Sequence, residues 1–466
     1  MMGSLLSWAD HRVFESSGEP FLFAVEDASL FALTREARET LGRWRASEFI
    51  ELDKIPAPDR EILQGLRDVR LLRPTTRQRD PAPRPEPGAV PLSTLVLEVA
   101  QDCNLRCTYC YAEGGTYGAA PCHLSEDTAR RAVRYLLNHS DDSGHVTLIF
   151  FGGEPLLNMP AVSAATREAI SSGEKLGKKI HFSLTTNGTL LDHNVVDFLH
   201  ENRVSVAVSL DGPQDIHDHN RPDAHGKGTY AGIVSRLGML LKDSPVPVAA
   251  RVTLAPDQWH QVVEVFDHLT GLGLHEVGIA PVSPVTRALL PSFAEESALL
   301  AGFAELAGRF VAHARKGRIM PFSNILDLLA RLHLGHTKPV SCGAGFGYMA
   351  VDAKGRLFPC HRLSGETDFC IGKLDGGTDR SRIRSCMDAL NSDREESCSH
   401  CWARTLCAGG CHYENHLREN HLGLPRGTSC RFIRSWLDLG MKTYAELRTD
   451  GAIEAMGRRL QQRARC

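Results

Sequence analysis

From Leu92 onward the chain alternates apolar β-type runs with helical patterns, and this alternation restricts the fold more than any other feature of its 466 residues. Residues 93–99, 146–151, 180–185, 204–209, 246–253 and 276–280 are predicted strands, and 125–138, 160–176, 192–202, 230–242 and 257–272 carry helical periodicity. Strands that are apolar almost throughout must be covered on both faces. Six such β-α repeats therefore predict an α/β protein with a parallel sheet under a layer of helices.

A proline-rich stretch precedes the first repeat. Residues 81–91 hold five prolines in eleven positions, which fits neither a helix nor a central strand and predicts a stiff linker. It separates an N-terminal unit, residues 1–80, from the β-α region at 92–335. In that unit 21–25 and 29–33 read as strands around the turn Glu26-Asp27-Ala28, Thr34 is a helix N-cap, and 58–68 suggests a second helix. After the repeats comes a Gly- and Cys-rich region, 336–440, expected to be organised by ligands more than by a core, and then a tail at 441–466.

The 53 Lys+Arg and 56 Asp+Glu leave a net charge of −3, which argues against nucleic acid as a partner. No apolar stretch reaches the ~18 residues of a membrane span. Met1 to Asp10 lacks a basic segment followed by an apolar run, so the expected location is cytoplasmic. In that compartment the 14 cysteines, most of them after Cys342, should be reduced thiols available to a metal or cluster.

Directly after the first strand stand Cys103, Cys107 and Cys110, spaced C-x3-C-x2-C. Three thiolates this close can hold three irons of a 4Fe–4S cube and leave the fourth without a protein ligand. A zinc knuckle completed by His123 is the alternative reading. The position suits chemistry, because parallel sheets gather active sites at the carboxyl ends of their strands. The triad, with Tyr109 before its third cysteine, resembles the radical S-adenosylmethionine superfamily. Phe150-Phe151-Gly152-Gly153-Glu154-Pro155 after strand two resembles that family's GGEP element. Thr185-Thr186-Asn187-Gly188 and Ser209-Leu210-Asp211-Gly212-Pro213 resemble further family segments at strand ends. The resemblance implies a partial (β/α)6 barrel and a cofactor pocket lined by Tyr109, Gly152, Gly153, Glu154, Asn187, Ser209 and Asp211. It also implies S-adenosylmethionine cleavage by the cluster, with no side-chain acid or base required.

Downstream, Cys398, Cys401, Cys407 and Cys411 follow C-x2-C-x5-C-x3-C, with Cys430 beyond and Cys342 and Cys360 before. A zinc ribbon would use the four and leave three unexplained. The pattern resembles the SPASM extension of radical enzymes, which carries two auxiliary 4Fe–4S clusters. The resemblance assigns Cys398, Cys401, Cys407 and Cys430 to an outer cluster and Cys342, Cys360 and Cys411 to an inner one, three clusters in all. No cysteine follows Cys342 within Gly343–Tyr348, where the family usually has one, which leaves the inner iron open or closed by Cys370 or Cys386. Cys122 and Cys466 are read as incidental.

The N-terminal unit resembles winged-helix-like modules that bind leader peptides, so the expected partner is a peptide or small protein with a leader, and a flavodoxin- or ferredoxin-type reductant. Phe358-Pro359-Cys360-His361-Arg362, Phe369-Cys370-Ile371-Gly372 and Cys411-His412-Tyr413-Glu414 are similar to segments of the quinohemoprotein amine dehydrogenase maturases. The expectation from this likeness is thioether crosslinking of Cys to Asp or Glu in a small subunit, with a substrate thiolate held by the open inner iron. The alternatives are SPASM maturases of the Cys-rich-peptide or sulfatase type, or an iron–sulfur electron carrier without radical chemistry.

Overall fold

The computed structural model describes residues 5–75, 85–141, 143–390 and 398–463; part of the expected linker, 81–84, and Cys466 lie outside the described residues. Six strands, Thr94–Gln101, His145–Gly152, Lys179–Thr186, Ser205–Ser209, Val248–Leu254 and Glu276–Pro281, lie side by side in sequence order, all parallel. Parallel strands in sequential order wind the sheet in one direction, as a partial barrel does. The expected strands are all present, extended by a residue or two at most ends. Their starts are anchored by the helices between them. Ser125 and Asp192 accept from the backbone N–H three residues on and so fix where the Glu126–Asn138 and His193–Glu201 helices begin.

The region after residue 336 departs from expectation. Tyr348–Val351 adds to the sheet, parallel to Thr94–Gln101 on the side away from the second barrel strand, and Arg356–Phe358, Gly372–Lys373 and Gly377–Thr378 continue antiparallel. Leu357, Phe358, Leu363, Ile371 and Met387 are buried within the same core as the barrel. Short β-runs broken by Gly and Cys do not announce a core. These residues gain one by joining the edge of an existing sheet.

Residues expected as a tail form most of two helices, Cys430–Thr449 and Ala452–Arg463. The first crosses Phe293–Ala314 and Ser323–Leu334, with Trp436 against Phe303 and Phe322. Contact at Gly440 is so close that a Cβ there would lie 2.0 Å from Leu328 Cδ2.

The N-terminal strands His11–Ser16, Glu19–Ala24 and Ser29–Ala32 form an antiparallel sheet, and Leu6–Trp8 pairs with Leu72–Pro74. Alternation sorts the middle strand: Leu22 and Ala24 enter a small core with Leu41, Ile50 and Leu63, while Phe21 and Phe23 enter the main core. The sheet rests on the Cys430–Thr449 helix through the Arg12–Asp438 ion pair and Ser16 Oγ donating to the Lys442 carbonyl, and on the cysteine-rich segment through Arg12 stacked 4.1 Å over Trp402.

Candidate functional site

The Cys103–Cys110 loop leaves the end of the first barrel strand and is clamped across the barrel mouth. Arg106 N donates to the Pro222 carbonyl and Thr108 N to that of Asn220. The three sulfurs lie within electrostatic reach of one another: burial, with Cys107 and Cys110 beside it, pushes Cys103 up to about 12, and burial with Cys110 raises Cys107. Thiols held together and free of disulfides, two of them raised by burial, are suited to give up their protons to a cation that replaces them. The donor set fits an iron–sulfur cluster.

Gly152 and Gly153 bring the second strand against this loop. Gly153 N donates to the Ala100 carbonyl and Glu154 N to that of Asp102. A Cβ on Gly152 would lie 2.2 Å from Ala100 O, and one on Gly153 2.2 Å from Asp102 O, so no other residue permits this approach. The Glu154 carboxylate is fully buried and accepts from Leu156 N, Thr186 Oγ1 and Asn187 N, tying strand ends two and three together. Burial outweighs those donors and pushes its pKa up to about 7. Asn187 Nδ2 donates to Asn104 Oδ1 at 2.9 Å and lies 3.8 Å from Cys103 Sγ.

Ser209 is half-buried at the fourth strand's end, beside Arg251 on the next strand. Asp211 is fully buried. Its Oδ2 accepts from Tyr109 Oη, from Arg221 Nε at 3.0 Å and from Asn220 Nδ2 at 3.3 Å, while Oδ1 accepts from Thr253 N at 2.9 Å. Arg221 in turn lies 3.9 Å from Cys107 Sγ and over the Tyr109 ring. Burial opposes the Arg221 charge, but Asp211, Tyr109 and Cys107 together raise its pKa. Tyr109 and Asp211 thus hold the cysteine loop to the fourth strand through each other and through Arg221.

The later cysteines separate into two groups. Cys342, Cys360 and Cys411 lie within electrostatic reach of one another, as do Cys398, Cys401, Cys407 and Cys430. In the second group Cys430 opens a long helix, and the N–H groups of Gly409 and Gly410 turn toward Cys407, both favourable to thiolate. Cys370 and Cys386 pair with each other electrostatically, and each points its thiol at a backbone carbonyl, of Gly372 and Asp368 respectively. Cys122 sits on a two-residue strand paired with the end of Thr94–Gln101.

Several residues here were not singled out from the sequence. Arg362 Nη1 is 3.7 Å from Cys411 Sγ, and its guanidinium lies between the rings of Tyr111 and Tyr413. His361 stands between the first and inner groups, 4.6 Å from Phe151 and hydrogen-bonded at Nδ1 to Tyr348 Oη. Burial, aided by Arg362, pushes its pKa down to about 3, so its ring is neutral. Glu98, fully buried with Gln101 and Ser364 as donors, is pushed up to about 8 by burial. Adjacency to Cys360 was the one signal available for His361 and Arg362.

Residues 97–269 match the radical SAM superfamily. The cysteine-type anaerobic sulfatase-maturating enzyme of Clostridium perfringens is 26% identical over 347 residues, spanning 69% of this chain and 89% of that one. The serine-type anaerobic sulfatase-maturating enzyme of Klebsiella aerogenes is 23% identical over 346 residues, spanning 69% and 80%. Among solved structures, native anSMEcpe with bound AdoMet superposes with a TM-score of 0.65 at 21% identity, covering 78% of this chain and all of that one. These relatives overturn the thioether-crosslinking expectation and its quinohemoprotein amine dehydrogenase substrate: the likeness runs to sulfatase-maturating enzymes, the alternative. The short segments around Cys360, Cys370 and Cys411 misled because they surround sulfurs and say little about the substrate. The likeness is thus to radical SAM enzymes that modify a peptide or protein, and the match to the superfamily itself spans residues 97–269.

Proposed function

We propose that the enzyme is a SPASM-type radical SAM maturase of the sulfatase-maturating kind, oxidising the Cβ of a cysteine or serine in a peptide or protein. The observation that carries this reading is similarity to both the cysteine-type and the serine-type enzymes over about three-quarters or more of their lengths, 89% and 80%. Net, the CH2–OH or CH2–SH group loses one hydrogen from carbon and one from the heteroatom, two protons and two electrons in all, and for cysteine the resulting C=S reacts with water to give C=O and hydrogen sulfide. S-adenosylmethionine and the iron–sulfur clusters, when bound, supply the radical that removes the first hydrogen and a sink for the remaining electron.

The chain's own residues hold and orient. Cys103, Cys107 and Cys110 would ligate the first cluster; Cys342, Cys360 and Cys411 the inner auxiliary one; Cys398, Cys401, Cys407 and Cys430 the outer. Gly152, Gly153, Glu154, Asn187 and Ser209 would line the cofactor pocket, with Tyr109 and Asp211 acting by position. His361, Tyr111 and Arg362 wall the space between first and inner groups and keep water from it. The N-terminal unit is the proposed holder of a leader segment, and a flavodoxin- or ferredoxin-type protein the proposed reductant.

The test is anaerobic turnover of cluster-loaded enzyme with S-adenosylmethionine, reductant and matched peptides bearing Cys or Ser. An aldehyde trapped by a hydrazide, with mass loss of two hydrogens from the serine peptide, is expected. If 5′-deoxyadenosine forms while neither peptide gains an aldehyde, the substrate reading fails and the radical assignment stands.

A further inference from the structure

A cluster of nitrogen and oxygen ligands lies outside the sulfur groups. Helix His412–His416 runs directly into a π-turn, Leu417–His421. In an α-helix residues five apart point away from each other, whereas a π-turn, wound with i→i+5 bonds, returns them to one face. His416 and His421 are therefore neighbours, their ring centroids 5.3 Å apart. Across from them is Glu366, in the turn that follows Cys360–Leu363. Its Oε1 is 3.8 Å from His416 Nε2 and 3.5 Å from His421 Nε2. The ligand atoms of all three residues lie within 4.8 Å of one another.

These separations exceed ordinary hydrogen bonds and suit a shared cation. Metal–ligand bonds of about 2.0–2.2 Å place ligand atoms roughly 3.3–3.6 Å apart in a tetrahedral site, so the two Glu366 separations are within tenths of an ångström of closure and the histidine pair within about one. The supporting structure points the same way. His416 Nε2 is enclosed and has no hydrogen-bond partner, an expensive state for a buried polar atom. Its other nitrogen, Nδ1, is 2.9 Å from Asn420 Nδ2. A half-turn of that amide would set its oxygen against Nδ1, keeping the proton there and presenting the Nε2 lone pair inward, as behind a ligating histidine. Phe369 packs edge-on against the His416 ring, 5.0 Å between centroids. The His416 side chain is 14% exposed, Glu366 37% and His421 47%, so one ligand is anchored and the other two open to an arriving ion.

We propose that Glu366, His416 and His421 bind one divalent transition-metal ion of the zinc type, with water in the remaining position. Two imidazoles and a carboxylate with no thiolate suit zinc and similar borderline divalent ions, and differ in kind from the sulfur groups that suit an iron–sulfur cluster. The site joins two segments that each carry a sulfur of one group: Glu366 follows Cys360 by six residues and His416 follows Cys411 by five. The ion is a staple that fixes the spacing of Cys360 and Cys411.

The test uses full-length protein with its iron–sulfur clusters reconstituted anaerobically, so that the cluster thiols are occupied. Cobalt(II) should bind at one equivalent, giving visible d–d bands without the near-ultraviolet thiolate charge-transfer band, and zinc should displace it. His421→Ala, at an exposed position, and Glu366→Gln should each weaken zinc binding by at least about 100-fold with iron and sulfide content unchanged. Absence of stoichiometric binding at roughly 100 μM metal, a thiolate charge-transfer band, or binding indifferent to both substitutions would each overturn the proposal.

Discussion

Replacing Asp211 by Asn tests whether this carboxylate is a keystone of the barrel mouth or a cofactor contact. It is fully buried and takes four donors, from Tyr109, Asn220, Arg221 and Thr253. Asparagine keeps the shape but removes the charge that Arg221, whose side chain is 9% exposed, depends on. It also sets an NH2 group against one of the existing donors. Breaking a buried pair from one side costs about 3–5 kcal/mol, which for a barrel of this size lowers the unfolding midpoint by roughly 6–20 °C. Thermal unfolding of the cluster-free protein by circular dichroism reads this directly. Asp211→Asn with Arg221→Met should recover most of the loss, since the orphaned charge is then gone. A drop below about 2 °C in the single variant, with a raised S-adenosylmethionine requirement, would refute the reasoning and make Asp211 a cofactor contact.

Glu98→Gln should flatten the pH dependence of stability. The folded carboxyl is pushed up from 4.5 to about 8 by burial, so between those values the native state keeps a proton the unfolded chain has lost. Stability then falls as pH rises through that window, by up to about 1.4 kcal/mol per pH unit, and urea unfolding of the variant should lack that slope. Joint replacement of Cys103, Cys107 and Cys110 by Ala should remove about four irons and all S-adenosylmethionine cleavage while leaving the absorption of the other clusters. Gly440→Val should cost about 1–3 kcal/mol or more by forcing apart the helices that meet at Leu328, read as a lowered denaturation midpoint.

The barrel was legible because its strands are apolar on both faces and its helices are amphipathic, so period alone separates 146–151 from 160–176. The Phe293–Ala314 helix escaped notice although Ser292 and Glu295 form a capping box at its start. Its apolar residues are spread around the axis, Ala and Leu together, which blurs the period. The N-terminal hairpin and the Thr34 cap were readable, whereas the edge strand His11–Ser16 was not, since its polar residues face solvent or the last long helix. Cysteine spacing picked out the thiols that the fold gathers. The Asp211–Arg221 pair was invisible because its partners meet across a turn with no periodic relation. His416 and His421 were equally so, because a spacing of five matches neither helix nor strand until a π-turn supplies it.

The strand Tyr348–Val351 has a consequence for how the protein is made. The first barrel strand, Thr94–Gln101, carries the run Thr94-Leu95-Val96-Leu97 on an edge whose partner lies about 250 residues downstream. At translation speeds of 5–20 residues per second that edge waits roughly 10–50 s after emerging from the ribosome. The N-terminal sheet waits longer still, for the helix that carries Asp438. An apolar strand with open N–H and C=O groups is a template for pairing with other nascent chains. The yield of native enzyme should therefore depend on chaperone supply and on slow, cool expression more than on final stability. Release of a chain truncated before Tyr348 should give aggregates and not a smaller soluble barrel.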